Sequence, residues 1–196
     1  MKAFYAINKY SKKNIFTAKN KRKFMKPLIT VAIPEEISSS YHSMVLFTGI
    51  GVLNSLLSLS AFSSKPSIVY NIGTCVSKHP HDCVAIEFSN FMSSVKSFPH
   101  TLISFYDNFN DFDVIKLPDF LETHFEFVTS PRQMSSSYGD MEAYAQASFC
   151  KLHSIPFRCI KVVSDCAQST SQSHWEAQLE ITRPILDNLI KYIISI

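Results

Sequence analysis

The chain has 196 residues, of which 46% are hydrophobic and 13% aromatic. This length suits one domain with a single sizeable core, and this composition excludes an intrinsically disordered chain. The formal net charge of +3 is unevenly spread, because residues 1–26 hold nine of the 19 basic residues and no acidic one. We expect residues 1–26 to be a flexible basic arm. The domain of residues 27–196 keeps ten basic against 16 acidic residues, so it is not built to bind a nucleic-acid backbone.

Cysteine usage and the longest uncharged segment bear on where the protein resides. The five cysteines form no CxxC pair, which is typical of reduced thiols in a cytoplasmic protein. Residues 41–64 contain no Lys, Arg, Asp or Glu and are long enough to cross a bilayer. Their glycines and serines favour a strand, a turn and a buried helix instead, so no membrane segment is expected. For the arm, an organelle transit segment is the alternative to a flexible tail.

Short apolar runs predict the strands in the first half of the domain. They lie at 28–33, 44–48 and 67–72, and 83–87 is a further candidate. Between the second and third runs, residues 49–51 form a glycine turn, and the leucines of 52–62 recur near helical spacing. This half of the domain is therefore predicted to contain a helix between strands.

The second half begins with an aromatic stretch, 89–124, which predicts only short strands and loops. Further strands are predicted at 126–129 and 157–163. The alanine-rich segment 141–153 predicts a helix with Asp140 as its N-cap, and a last helix is predicted over 174–194. Pro184 should kink this last helix or divide it into two pieces.

Strands alternating with helices predict a single α/β domain with a mainly parallel or mixed central sheet flanked by helices. In such sheets, ligands bind beyond the carboxyl ends of the strands. Three predicted strand ends carry residues of interest there, Glu35-Glu36, Gly73-Thr74 and Ser164-Asp165. We expect them to share one edge of the sheet.

Carboxylates at these strand ends suit the cleavage of an N-glycosidic bond. One group must protonate the departing base, and a second must activate a water molecule or bind phosphate. A carboxyl group held away from water keeps its proton near neutral pH and serves as the acid, while a second carboxylate within reach of water serves as the base. Each acid taken alone is more often a helix cap or a solvated turn residue than a catalyst. The residues around it must therefore distinguish the two roles.

Three motifs in the C-terminal third occur in a fixed order. They are 139–145 (GDMEAYA), 155–157 (IPF) and 161–165 (KVVSD). Two weaker motifs precede them, 32–36 (AIPEE) and 47–54 (FTGIGVLN). Together they resemble the purine nucleoside phosphorylase superfamily, and within it the methylthioadenosine/S-adenosylhomocysteine nucleosidases.

The resemblance implies hydrolysis of a purine nucleoside such as 5′-methylthioadenosine or S-adenosylhomocysteine, a step of methionine salvage that releases adenine without a cofactor. Asp165 would be the general acid that binds N7 of the purine. Glu36, or Glu35 as the alternative, would activate the attacking water. The substrate-binding residues would be Glu142 at the ribose hydroxyls, Met141 beside the sugar, Ser164 beside the acid, Ile50 in the glycine turn and Phe127 against the purine.

Departures from the family pattern leave two alternatives. The segment 73–77 (GTCVS) is bulkier than the small-residue loop of the family, which favours a degenerate, non-catalytic nucleoside-binding member. A phosphorylase is the other alternative, but the acidic segment 34–36 (PEE) would repel the phosphate that such an enzyme binds. Water is therefore the expected attacking group.

His79, His81 and Cys83 alternate along the chain as metal ligands sometimes do, but no second pair of ligands matches them. A loop with solvated histidines is favoured, so no metal site is expected. The expected partners are a small purine nucleoside and, as the resemblance implies, a second copy of the chain in a homodimer.

Overall fold

The computed structural model of the chain describes residues 26–79, 85–93, 103–104, 125–127, 137–166 and 172–196. Within these ranges the chain forms nine strands and three α-helices. The predictions for the basic arm and for most of the aromatic middle lie outside the described residues.

The strands form where apolar and β-branched residues are buried on both faces of a sheet. Their bounds are β1 (Leu28–Val31), β2 (Leu46–Phe47), β3 (Val69–Ser77), β4 (Ala85–Phe88), β5 (Asn90–Ser93), β6 (Ile103–Ser104), β7 (Phe125–Phe127), β8 (Tyr138–Asp140) and β9 (Phe157–Cys166). The strand predicted at 44–48 is shorter than expected, because its described partner, β1, ends at Val31.

Two central strands are longer than predicted. The third predicted strand was expected to end at 72, but β3 continues to Ser77, and β9 continues three residues beyond the predicted 163. The reason is their mutual pairing, which runs in parallel from Val69 opposite Phe157 to Ser77 opposite Cys166. Residues 73–77 are therefore strand and not a loop.

The sheet follows the order β2-β1-β3-β8-β7-β5-β6, with β9 joined to β3 and β4 joined to β9. Five of its strand pairs are parallel, β1–β2, β1–β3, β3–β9, β5–β7 and β7–β8. The antiparallel pairs are β3–β8, β4–β9 and β5–β6. The predicted mainly parallel, mixed sheet is confirmed.

Helices cover both faces of the sheet. α1 (Val52–Ala61) and α2 (Ala143–Leu152) pack on one face, and α3 (Gln172–Ser195) packs on the other. α3 runs through Pro184 as a single helix, so the alternative of two separate pieces is wrong. Its buried residues Leu186 and Ile190 pack on the sheet, and this burial offsets the cost of a proline inside the helix. Among the described helices, none is both long and apolar enough to cross a membrane.

Candidate active site

A cavity of about 210 Å³ lies at the carboxyl ends of β1, β3 and β9. Its lining contains six of the seven predicted site residues, Glu36, Ile50, Met141, Glu142, Ser164 and Asp165. Phe127 lies in β7, but its side chain lies outside the described part of the structure, so its role against the purine stays a prediction.

Glu36 lies on a short 3-10 turn, Pro34–Glu36, directly after β1. The side chain is buried, and its Oε1 accepts hydrogen bonds from the Thr74 amide at 2.7 Å and the Thr74 hydroxyl at 2.8 Å. Its Oε2 is buried without a hydrogen-bond partner among the described residues. One oxygen is therefore anchored, and the other is left for a group that enters the cavity.

Glycine is required at position 73 because the Glu36 and Lys161 side chains approach its backbone closely, and not because the chain turns there. A Cβ atom at this position would lie 3.0 Å from Oε1 of Glu36 and 3.3 Å from Nζ of Lys161. The bulk of residues 73–77 was expected to favour a non-catalytic member. In the structure, two of these residues accommodate the carboxylate of Glu36 instead. Thr74 holds the carboxylate of Glu36, while Gly73 leaves room for it.

Met141 and Glu142 directly precede α2. Oδ1 of Asp140 accepts the backbone N–H groups of Glu142 at 3.2 Å and Ala143 at 2.9 Å. The helix begins at Ala143 with Glu142 as its N-cap, two residues later than predicted, so the predicted N-cap position is wrong although the Asp140 carboxylate still accepts these amides. Glu142 is buried, and its Oε1 accepts the Gly51 amide at 2.6 Å. The glycine turn that precedes α1 is thereby tied to the start of α2.

Lys161 is a buried charge that the sequence analysis did not single out. Alternation along β9 places it on the face covered by α1 and α2, where its Nζ forms an ion pair with Oδ2 of Asp140 at 3.0 Å. Burial alone would lower the pKa of Lys161, but the nearby Asp140, Cys159, Glu142 and Glu36 raise it above its usual value. Lys161 therefore remains an ammonium. Its signal in the sequence was a lysine within a strand buried on both faces, which requires an acidic partner.

Ser164 and Asp165 lie at a bulge in β9. Cys75 pairs with Val163 and Val76 with Asp165, so Ser164 is the extra residue between them. Bulges of this kind re-aim the side chains beside them. The Ser164 hydroxyl donates to Oδ2 of Asp165 at 3.1 Å.

The lining also contains residues that were not predicted as site residues, among them Trp175 and Cys75. Trp175, near the start of α3, lines the cavity, and its Nε1 lies 3.5 Å from the Thr74 hydroxyl oxygen. Cys75 also lines the cavity, and burial raises the pKa of its thiol well above the usual value, so it stays protonated. No local sequence signal marks Trp175 or Cys75 as a site residue. Trp175 reaches Thr74 because α3 packs on the sheet.

Arg158 is a buried cation that lies away from the cavity. It lies on the α3 face of the sheet and donates two hydrogen bonds to Glu87, at 2.6 and 2.8 Å. Among the described residues, no group of His, Cys, Asp and Glu is arranged to hold a metal ion. His81 and Cys83 of the weak metal motif lie outside those residues.

The comparisons with known proteins identify the fold. No family model matches the chain, and no curated protein matches its sequence. Helicobacter pylori 5′-methylthioadenosine/S-adenosyl homocysteine nucleosidase is similar in structure at a TM-score of 0.69 and 14% identity, covering 88% of this chain and 98% of that one. H. pylori futalosine hydrolase gives 0.70 at 15% identity with the same coverage. Arabidopsis thaliana 5′-methylthioadenosine nucleosidase gives 0.66 at 13%, covering 87% and 95%.

The chain has the nucleosidase fold. The resemblance inferred from the motifs is thus confirmed at the level of the fold, including the single α/β domain with helices on both faces of its sheet. Two carboxyl groups of the cavity, those of Glu142 and Asp165, have raised pKa values.

The pKa of Glu142 is raised to about 8, mainly by burial and further by the charge of Asp140, against the opposing effects of Lys161 and the Gly51 amide. Burial also raises the pKa of Asp165 above its usual range, while the Ser164 hydrogen bond and His174 act against this. Oδ1 of Asp165 is buried without a hydrogen-bond partner among the described residues. The environment of Asp165 thus favours the protonated form of its carboxyl group more than water does.

Because the pKa of Glu142 is raised from 4.5 to about 8 on folding, the folded protein holds a proton that the unfolded chain releases between these values. The contribution of Glu142 to stability should therefore fall as the pH rises through this window. Glu142→Gln resembles the protonated form and lacks this fall. Between pH 5 and pH 8, the free energy of unfolding of Glu142→Gln should rise relative to that of the wild type. The relative increase should be at least about 1.4 kcal/mol, the equivalent of one pKa unit.

Urea unfolding at several pH values measures this shift. Glu180→Gln, which removes a largely exposed carboxylate, serves as the control and should leave the pH dependence of the wild type unchanged. Parallel pH curves for wild type and Glu142→Gln would contradict the raised pKa.

Proposed function

We propose that the chain hydrolyses the N-glycosidic bond of a purine nucleoside, such as 5′-methylthioadenosine or S-adenosylhomocysteine, and releases adenine. The observation that carries the proposal is the convergence of Glu36, Glu142 and Asp165 on one cavity. The nucleosidase fold supports it, because the cavity lies at the carboxyl edge of the sheet, where α/β proteins bind their ligands.

Asp165 acts as the general acid. Burial raises the pKa of its carboxyl group, which favours the protonated form, and its Oδ1, which lacks a partner among the described residues, is available to donate the proton to N7 of the purine. As the base accepts the proton, it departs with the electron pair of the glycosidic bond, which leaves positive charge on the sugar. Ser164 holds the other oxygen and fixes the direction of the carboxyl group.

Glu36 acts as the base. Thr74 holds Oε1, and the unpartnered Oε2 accepts a proton from a water molecule as its oxygen attacks C1′ of the sugar. Glu142 binds the ribose hydroxyls. Met141 and Ile50, which are 37% and 51% exposed, supply apolar contacts to the bound nucleoside.

Water is favoured over phosphate as the attacking group. The described residues that line the cavity include no lysine or arginine, and the nearby ammonium of Lys161 is engaged by Asp140. A phosphate ion would meet Glu36, and the described lining offers no lysine or arginine to balance its charge. This arrangement supports a hydrolase over a phosphorylase.

Asp165→Asn should reduce kcat for adenine release from methylthioadenosine by about 100-fold or more, because the amide cannot protonate the departing base. Glu36→Gln should cause a loss of similar size, because it removes the proton acceptor for water. Adenine is measured by chromatography, and circular dichroism checks that each variant is folded. Glu180→Gln, an exposed acid, should leave kcat unchanged. Unchanged turnover in Asp165→Asn would remove this residue from its role.

We also propose that the chain forms a homodimer through the surface beside the cavity. Ile50, Leu53 and Leu57 on and before α1 are 51%, 68% and 58% exposed, and Met44 is 52% exposed. An apolar surface of this kind is stabilised by association. Light scattering should give twice the mass of the 22.2 kDa chain, and Leu53→Glu combined with Leu57→Glu should give a monomer. A monomeric wild type would contradict the proposal.

A further inference from the structure

The 3-10 turn Pro34–Glu36 is contacted on its outer side by α3. Arg183 donates two hydrogen bonds to the backbone carbonyl oxygen of Glu35, from Nε at 3.3 Å and from Nη2 at 3.1 Å. Its third nitrogen, Nη1, forms an ion pair with Glu180 at 3.1 Å. The guanidinium thus holds the residue immediately before Glu36.

One helical turn later, Asp187 holds the residues that follow Glu36. Its Oδ1 accepts the Ser38 backbone N–H at 3.0 Å, and its Oδ2 accepts the Ser38 hydroxyl. Residues four apart in a helix lie on the same face, so Arg183 and Asp187 reach the turn together. They hold the backbone on both sides of Glu36 without contacting its carboxylate.

The turn needs this outside support. It is a 3-10 turn closed by two backbone hydrogen bonds of 3.3 Å, from Glu36 to Ile33 and from Ile37 to Pro34. Such turns have poorer hydrogen-bond geometry than an α-helix. Thr74 anchors one carboxylate oxygen from the sheet side, but the described residues leave the other unpartnered. The direction of that free oxygen therefore depends on where the backbone of the turn lies.

We propose that Arg183 and Asp187 are positioning residues for Glu36, which fix its free oxygen relative to the attacking water. This rests on the proposed function, because it takes Glu36 as the base. A group that acts on the transition state must be held within a fraction of an ångström, and a misplacement of about 1 Å costs roughly 100-fold in rate. Substrate binding, by contrast, depends on Glu142 and Asp165, which neither positioning residue contacts.

Asp187→Ala and Arg183→Met test the proposal on the full chain. Each should lower kcat for methylthioadenosine by roughly 10- to 100-fold while KM changes by less than about 3-fold, because binding is retained and the base is misplaced. Asp187→Asn keeps an acceptor for the Ser38 amide and a donor for its hydroxyl, so it should restore most of kcat. Glu180→Gln removes only the exposed ion pair of the same guanidinium and should leave kcat unchanged.

Hydrogen exchange gives a readout that does not depend on activity. Peptides that cover residues 33–41 should exchange faster in Asp187→Ala than in wild type, while peptides that cover β1 should not change. Unchanged hydrogen exchange in residues 33–41 would overturn the claim that α3 holds the turn. Faster exchange with unchanged kcat would overturn its positioning role. A wild type without turnover would overturn the proposed function and the catalytic part of this inference, while the exchange result still decides whether α3 holds the turn.

Discussion

The ion pair between Lys161 and Asp140 lies where the main parts of the site meet. It joins the central strand β9 to the end of β8, and the same Asp140 carboxylate accepts the amides of Glu142 and Ala143 where α2 begins. Removing one partner of a buried pair leaves an uncompensated charge, at a cost of about 3–5 kcal/mol. The sheet and α2 can therefore adopt few other relative positions.

On the other side of the site, the Glu36 carboxylate lies close against the backbone of β3. Gly73 leaves space for the Glu36 carboxylate beside Lys161, and Thr74 binds it. Parallel pairing of β3 with β9 then brings Asp165 opposite Val76, at the same edge of the sheet. Three acids that are distant in sequence thus share one cavity because of the strand order and a one-residue bulge.

Patterns within short segments were enough to predict much of this arrangement. Continuous apolar runs located β1, β3 and β9, and the motif around Asp140 located the start of α2 to within two residues. What could not be predicted depends on partners that are far apart in sequence. The partner of Lys161 lies in another strand, the anchor of Glu36 lies in β3, and the strands extend beyond their apolar runs because they pair with each other. Trp175 reaches the cavity only because α3 packs across the sheet.

The central claim is that this cavity hydrolyses a purine nucleoside with water. The most direct measurement is to incubate the wild-type protein with methylthioadenosine, with and without phosphate, and to identify both products by mass spectrometry. The account predicts adenine and free methylthioribose, formed at the same rate in both conditions. A sugar 1-phosphate formed only with phosphate would contradict hydrolysis. The absence of adenine release from methylthioadenosine, S-adenosylhomocysteine and other purine nucleosides would contradict catalysis itself.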